Sequence, residues 1–253
     1  MLNVISSELR KMRRPSILAS TFLIIGTLSI GLTSFIFLRN NQQTYREIVK
    51  FDGATSSYAM VTAFMGFVAL VIFASQTAQE YTFGTLRNLL VRQPNRKILF
   101  TGKFLAMSLF AVMYAAFTFA LNVGLSFALA NYKHLDTHLW LSSQGITHTA
   151  TFLLNTTLAM IGYGSFGMAI GMILKSPMGA ISASLLWFLV IEGLIGAIEK
   201  KVSSWLPGNA LAVVNEGGIA HFSYSQGLAV ATTYAVVLMG FSGYLFLTRD
   251  VAQ

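Results

Sequence analysis

Four groupings in this chain have residue types and spacings that suggest chemistry. His134, Asp136 and His138 put two imidazoles and a carboxylate within five residues, and His148 follows. On a helix the two histidines would share a face suited to zinc. No glutamate follows His134 as in the HExxH pattern, so a solvated loop is the plainer reading, with no metal. Gly162, Gly164 and Gly167 match GxGxxG, but inside an apolar run with no preceding strand. A dinucleotide site needs that strand. Gly167 and Gly171 instead make a smooth face for close helix packing. Gly102-Lys103 lacks the upstream glycine and following Ser/Thr of a phosphate loop, so no ATP-binding motif is recognisable. His134, His138, His148 and His221 pair with no motif-bearing serine, which removes support for Ser-His-Asp catalysis.

The third grouping is one residue. Glu192 is the sole ionisable group well inside an apolar stretch. Such a group marks a polar patch in a translocation path or a proton or cation site. It is equally read as a carboxylate near the outer interface, six residues from the end of its stretch. The fourth is Gln79–Lys103, where Arg87, Arg92, Arg96, Lys97 and Lys103 crowd around a single acid, Glu80. Phe83, Leu86, Leu89 and Leu90 are spaced for one helical face, with Arg87 and Asn88 turned away and Arg92 at the polar edge. The spacing predicts a helix over Thr82–Arg92, stopped by Pro94.

These groups sit in a chain of 253 residues, 55% apolar and 10% charged. Soluble domains carry about 25% charged residues. Six stretches are long enough to cross a bilayer as helices, which takes roughly 20 residues: Ile17–Leu38, Tyr58–Ala78, Phe104–Ala130, Thr149–Leu174, Met178–Ile198 and Gly227–Leu247. Lipid cannot satisfy backbone amides, and barrel strands would be half this length. The expected fold is therefore all-α, a polytopic membrane protein with six transmembrane helices in one membrane domain over 1–253. The net charge of +8 is explained by topology and anionic lipid rather than nucleic acid, because the cations flank the spans. Eleven of the 17 Lys and Arg residues fall on the side of the termini and the 79–103 loop, which makes both termini cytoplasmic. The first stretch is too long for a cleaved signal and is expected to remain as a span. The absence of cysteine excludes disulfides and thiolate metal sites.

Two further segments are unusual. Residues 1–16 carry Leu2, Ile5, Leu9 and Met12 at helical spacing, with Glu8, Arg10, Lys11 and Arg14 elsewhere around the wheel. This is either an interfacial helix or a plain cationic flank. Residues 199–226 hold Trp205-Leu206-Pro207-Gly208-Asn209 and a short apolar run, Ala210–Val214. That is either a re-entrant segment or a Trp-anchored surface loop.

Taken in order, Gln79–Arg87, the glycine-rich run Gly162–Ile181, Trp205–Ala210 and Arg249-Asp250-Val251 resemble the membrane permease subunits of bacterial type-2 ABC exporters, the drug, bacteriocin and cation export branch. The resemblance covers nearly the whole chain. It implies a pair of permeases, this one and a second copy or homologue, above two cytoplasmic nucleotide-binding ATPase subunits. ATP and Mg would be bound by those partners and no cofactor by this chain, which would not be an enzyme. Localisation would be the bacterial cell membrane, with lipid as neighbour and no nucleic acid partner. The N-terminal helix and a coupling helix at 79–103 would contact the ATPases, through Glu80, Thr82, Gly84, Thr85, Arg87 and Arg92. The path would be lined by the second and fifth spans, with Phe64, Phe67, Trp187, Phe188 and Glu192 as candidates. The short outer loops depart from relatives that carry a substrate-capturing outer domain. A stand-alone secondary carrier using Glu192 is the alternative.

Overall fold

The computed structural model describes residues 1–13, 15–38, 46 and 48–248. Arg14, Arg39 and the Arg249-Asp250-Val251 ending lie outside the described residues. Among the described residues the chain is helical apart from short connections, with one isolated bridge between Ile219 and Phe222. Among the described residues, six helices are long and apolar enough to cross a membrane: Leu18–Leu38, Gly53–Thr82, Arg96–Tyr132, Ser143–Leu174, Pro177–Ile198 and Tyr224–Thr248. They match the six expected stretches, but several are longer. The third, at 37 residues, is about 55 Å long, against a hydrocarbon core of about 30 Å. It carries its polar ends beyond the core, and this extra length takes in Lys103.

We label the helices in order: α1 (Leu2–Met12), α2 (Pro15–Leu38), α3 (Ser56–Thr82), α4 (Thr85–Arg92), α5 (Arg96–Tyr132), α6 (Ser143–Leu174), α7 (Pro177–Leu185), α8 (Glu192–Ile198), α9 (Lys200–Ser203), α10 (Pro207–Glu216) and α11 (Tyr224–Thr248). Helices α7 and α8 form one span, joined through a π turn at Leu186–Ile191.

The tightest pair is α3 on α6. Small residues let their backbones approach, because lipid gives helices no hydrophobic reason to associate and close packing must do so instead. A Cβ on Gly167 would run into the Leu70 carbonyl, one on Gly171 would sit 2.7 Å from the Ala74 carbonyl, and one on Gly164 would overlap the Phe73 ring. The GxGxxG match is thus a packing face. In return Gly66 of α3 receives the ring of Tyr163.

α1 is a helix, as the spacing suggested, but its buried line is Val4, Glu8 and Met12, while Leu2 is exposed. The reason is its neighbour. Val4 is seated on Gly102 of α5, where a Cβ would come within 2.8 Å of it. That contact rotates the helix so that an acid, not a leucine, points inward.

The expected Thr82–Arg92 helix is corrected at its start. α3 runs to Thr82, Phe83 is exposed, and Gly84 takes a left-handed φ of +64° before α4 begins at Thr85. A residue with a side chain is strained there. Phe83 therefore leaves the apolar stripe, which keeps a buried Leu86 and the partly buried Leu89 and Leu90. Its end is as expected: Gln93 is extended, Pro94 follows, and Asn95 caps α5 by accepting from the Ile98 amide.

Candidate functional site: two polar centres at opposite ends of the bundle

At one end, side chains from three helices meet in a charged cluster. Lys103 of α5 donates to Glu8 of α1 at 2.9 Å and to Glu80 of α3 at 2.5 Å. Lys11 of α1 donates to both acids at 2.7 Å. Lys103, Glu8 and Glu80 are 1%, 2% and 6% exposed. Two positive and two negative charges balance, which lets ions stay buried. Burial alone would raise the Glu8 carboxyl, but the charges of Lys103 and Lys11 and their hydrogen bonds outweigh it and hold it below its ordinary value of 4.5. Burial likewise opposes charge on Lys11, and Glu80 with Glu8 overcomes this to raise it above 10.5.

The sign follows. A depressed carboxyl stabilises above its unfolded value and loses that contribution as pH falls through the folded value; a raised ammonium does so as pH climbs above 10.5. The attachment of α1 is therefore expected to be level across neutral pH and to weaken in acid below about pH 4.5. Thermal unfolding against pH would check this. Glu8→Gln should flatten the acid limb, and an unchanged limb would count against the role of Glu8.

This cluster underlies α4. Arg87 and Asn88 point outward, and Arg92 is exposed beside a cavity of about 270 Å³ that also touches Lys11, Glu80 and Thr85. Of the expected coupling residues, Thr85, Arg87 and Arg92 are on the exposed helix and Gly84 forms the turn into it. Thr82 donates to the Lys175 carbonyl at 3.3 Å, tying the end of α3 to the turn between α6 and α7. Glu80 is placed differently: it faces inward to the lysines. Arg96 donates to the Phe246 and Leu247 carbonyls at the end of α11. At the end of the bundle that carries α4, polar contacts thus tie together α1, α3, α5, α11 and the turn between α6 and α7.

Glu80 and Lys103 lie on the polar extensions of α3 and α5, past the apolar stretches Tyr58–Ala78 and Phe104–Ala130, and packing against α1 buries them. Glu8, Lys11 and Lys103 were missed as site residues. The available signal was the lone acid in each basic segment, Glu8 and Glu80, but neither shows which lysine it meets.

At the other end, Glu192 is 3% exposed. Oε1 accepts from the Trp187 indole at 2.9 Å and the Gly208 amide at 3.0 Å, and Oε2 accepts from the Asn209 amide at 3.1 Å. The last two are the first free amides of α10, where the helix dipole favours an anion. The π turn makes this possible. Five residues apart on an α-helix, Trp187 and Glu192 would diverge by about 140°; the wider turn aligns them. α10 itself is packed against α6 and α11. Gly162 receives Leu211, and Asn215 bridges Thr62 and Thr156 at 2.9 and 2.8 Å. Pro207–Glu216, just after Trp205-Leu206, is therefore a helix packed against the spans.

A cavity of about 520 Å³ lies here, lined among others by Phe67, Tyr163, Phe188 and Glu192. Phe67 meets Tyr163 at 5.5 Å, and Tyr163 meets Phe188 at 5.2 Å. Phe64 is apart: it is half exposed in a groove between α2 and α3. His134 has a φ of +53° and ends its helix, so His134 and His138 do not share a helical face. Among the described residues no cluster of metal-binding side chains occurs.

No curated protein matches the chain. A family described as ABC-2 family transporter protein matches residues 4–185, from α1 to the end of α7. That segment contains the charged cluster, α4 and the α3–α6 packing face, and with six apolar helices it makes this a multi-pass membrane permease. The chain belongs to the ABC-2 family of transporter proteins.

Proposed function

We propose that the chain is the transmembrane permease subunit of an ATP-driven exporter in a bacterial cell membrane, of the drug, bacteriocin and cation export branch. Both termini and α4 face the cytoplasm. The protein forms half of the translocation path beside a second permease copy or homologue. Two cytoplasmic ATPase subunits bind ATP and Mg and carry out hydrolysis. The observation that carries this reading is α4 itself. It is a short helix with Leu86 buried inward and Arg87 displayed outward, following directly on the end of α3, which Glu80 and Thr82 tie to α1, α5 and the α6–α7 turn. Arginine is suited to carboxylates on a partner surface. A helix so held would pass a partner's movement to several spans at once.

The Arg87→Glu variant is expected to fold and insert normally but to lower transport-coupled ATP hydrolysis about tenfold, a loss in the range of a charged contact turned repulsive at an interface. The measurement is substrate-stimulated ATPase activity of the chain reconstituted with the nucleotide-binding protein encoded beside it. Undiminished stimulation would remove α4 from the docking role, and a neighbouring gene without Walker motifs would remove the whole reading.

In this reading Glu192 anchors α10 and is not a proton relay. Its oxygens are already taken by three N–H donors.

A further inference from the structure

A groove of about 650 Å³ runs between α2 and α3. Its chemistry changes along its length. Near the α4 end it is lined by Ser75, Gln76 and Gln79, and further along by Ile24, Leu28, Phe64 and Val68. From Gln79 to Phe64 the helix rises roughly 22 Å, and Phe64 there is 50% exposed. Gln76 and Gln79 stand three residues apart on one face, both half-buried. Neither side-chain amide makes a hydrogen bond among the described residues, although each can donate twice and accept twice. Both also line the neighbouring cavity that reaches Thr85 and Arg92 of α4.

No ionisable side chain lines the groove among the described residues. The nearest buried charges, Lys11 and Glu80, are committed to each other and to Glu8 and Lys103. A charged head within the groove's own lining would lose its water and meet no counter-charge there, since Arg92 of the neighbouring cavity stays exposed to water on α4. An uncharged hydrogen-bonding head would find two free amides, and its apolar body would find an apolar wall.

We propose that this groove binds an uncharged amphiphile, with an amide or hydroxyl head held by Gln76 and Gln79 and an apolar body lying along Ile24, Leu28, Phe64 and Val68. As the site of a transported cargo this rests on the transport reading; as a binding site it stands without it. The head would sit in the space that continues to α4, so occupancy of the groove bears directly on the contacts of the coupling helix.

The test uses the purified full chain in phosphatidylcholine nanodiscs, without nucleotide or ATPase, so its failure is distinct from failure of ATP coupling. Three dodecyl probes, each with a diazirine in the chain, carry a carboxamide, a trimethylammonium or a sulfate head. Photolabelling of α2 and α3 is read by mass spectrometry. The carboxamide probe should label most, and unlabelled dodecanamide should compete. Gln76→Leu and Gln79→Leu should each weaken its labelling about fivefold, the value of one hydrogen bond, and Gln79→Asn should retain more of it than Gln79→Leu. Equal labelling by all three heads, indifferent to the glutamines, would mean that bilayer lipid simply fills the groove. That result, or preference for a charged head, overturns the proposal.

Discussion

Lys103→Met is expected to destabilise the protein by about 3–5 kcal/mol, because it removes one partner from a buried ion cluster. Methionine keeps much of the stem and removes the charge. Two carboxylates, with side chains 3% and 7% exposed, would then face one remaining ammonium, Lys11, which is 30% exposed. They would repel each other in a poorly solvated site, and α1 would lose its strongest attachment to α3 and α5. The informative control is the triple variant Lys103→Met, Glu8→Gln, Glu80→Gln, which removes the stranded charges as well. It should recover most of the loss, since a buried ion group replaced throughout by neutral groups is often close to neutral in stability. Thermal unfolding of the purified protein in one detergent decides it. A single-variant loss below about 1 kcal/mol would place the cluster among solvated surface pairs.

The second large effect is expected at Glu192. Glu192→Ala leaves the Gly208 and Asn209 amides and the Trp187 indole without their acceptor. Each orphaned buried donor costs about 1–3 kcal/mol, so the start of α10 should open readily. Amide hydrogen exchange at Gly208 and Asn209 is the direct measurement. It should speed up about a hundredfold in the alanine variant and by less in Glu192→Gln, whose side-chain oxygen still accepts. A secondary carrier makes the opposite forecast. There Glu192→Gln would abolish gradient-driven transport while both amides stayed as protected as in the wild type.

Most of the fold was legible because its cause is one-dimensional. An apolar run of some 20 residues declares a span whatever surrounds it, and Pro94 declares the end of α4 whatever it packs against. The errors arose where the cause lies elsewhere in the chain. The rotation of α1 is set by Val4 meeting Gly102, some hundred positions on, which the spacing of its own apolar residues does not register. Gly84 fell inside a run of helical spacing, and periodicity does not register a left-handed residue. Glu80 looked like part of the docking surface until Lys103 claimed it. For Glu192 the sequence left two readings open, since its partners on α10 lie 16 and 17 residues away and the π turn that aims it has no compositional mark.

The pairing of Glu192 with α10 has a bearing on the medium around the protein. The exposed start of a helix is a ready trap for phosphate, sulfate or a free carboxylate. Here the chain fills that trap with its own side chain, and the indole closes over it. α10 therefore offers nothing to dissolved anions at its start, and its seating should be indifferent to which salts are present.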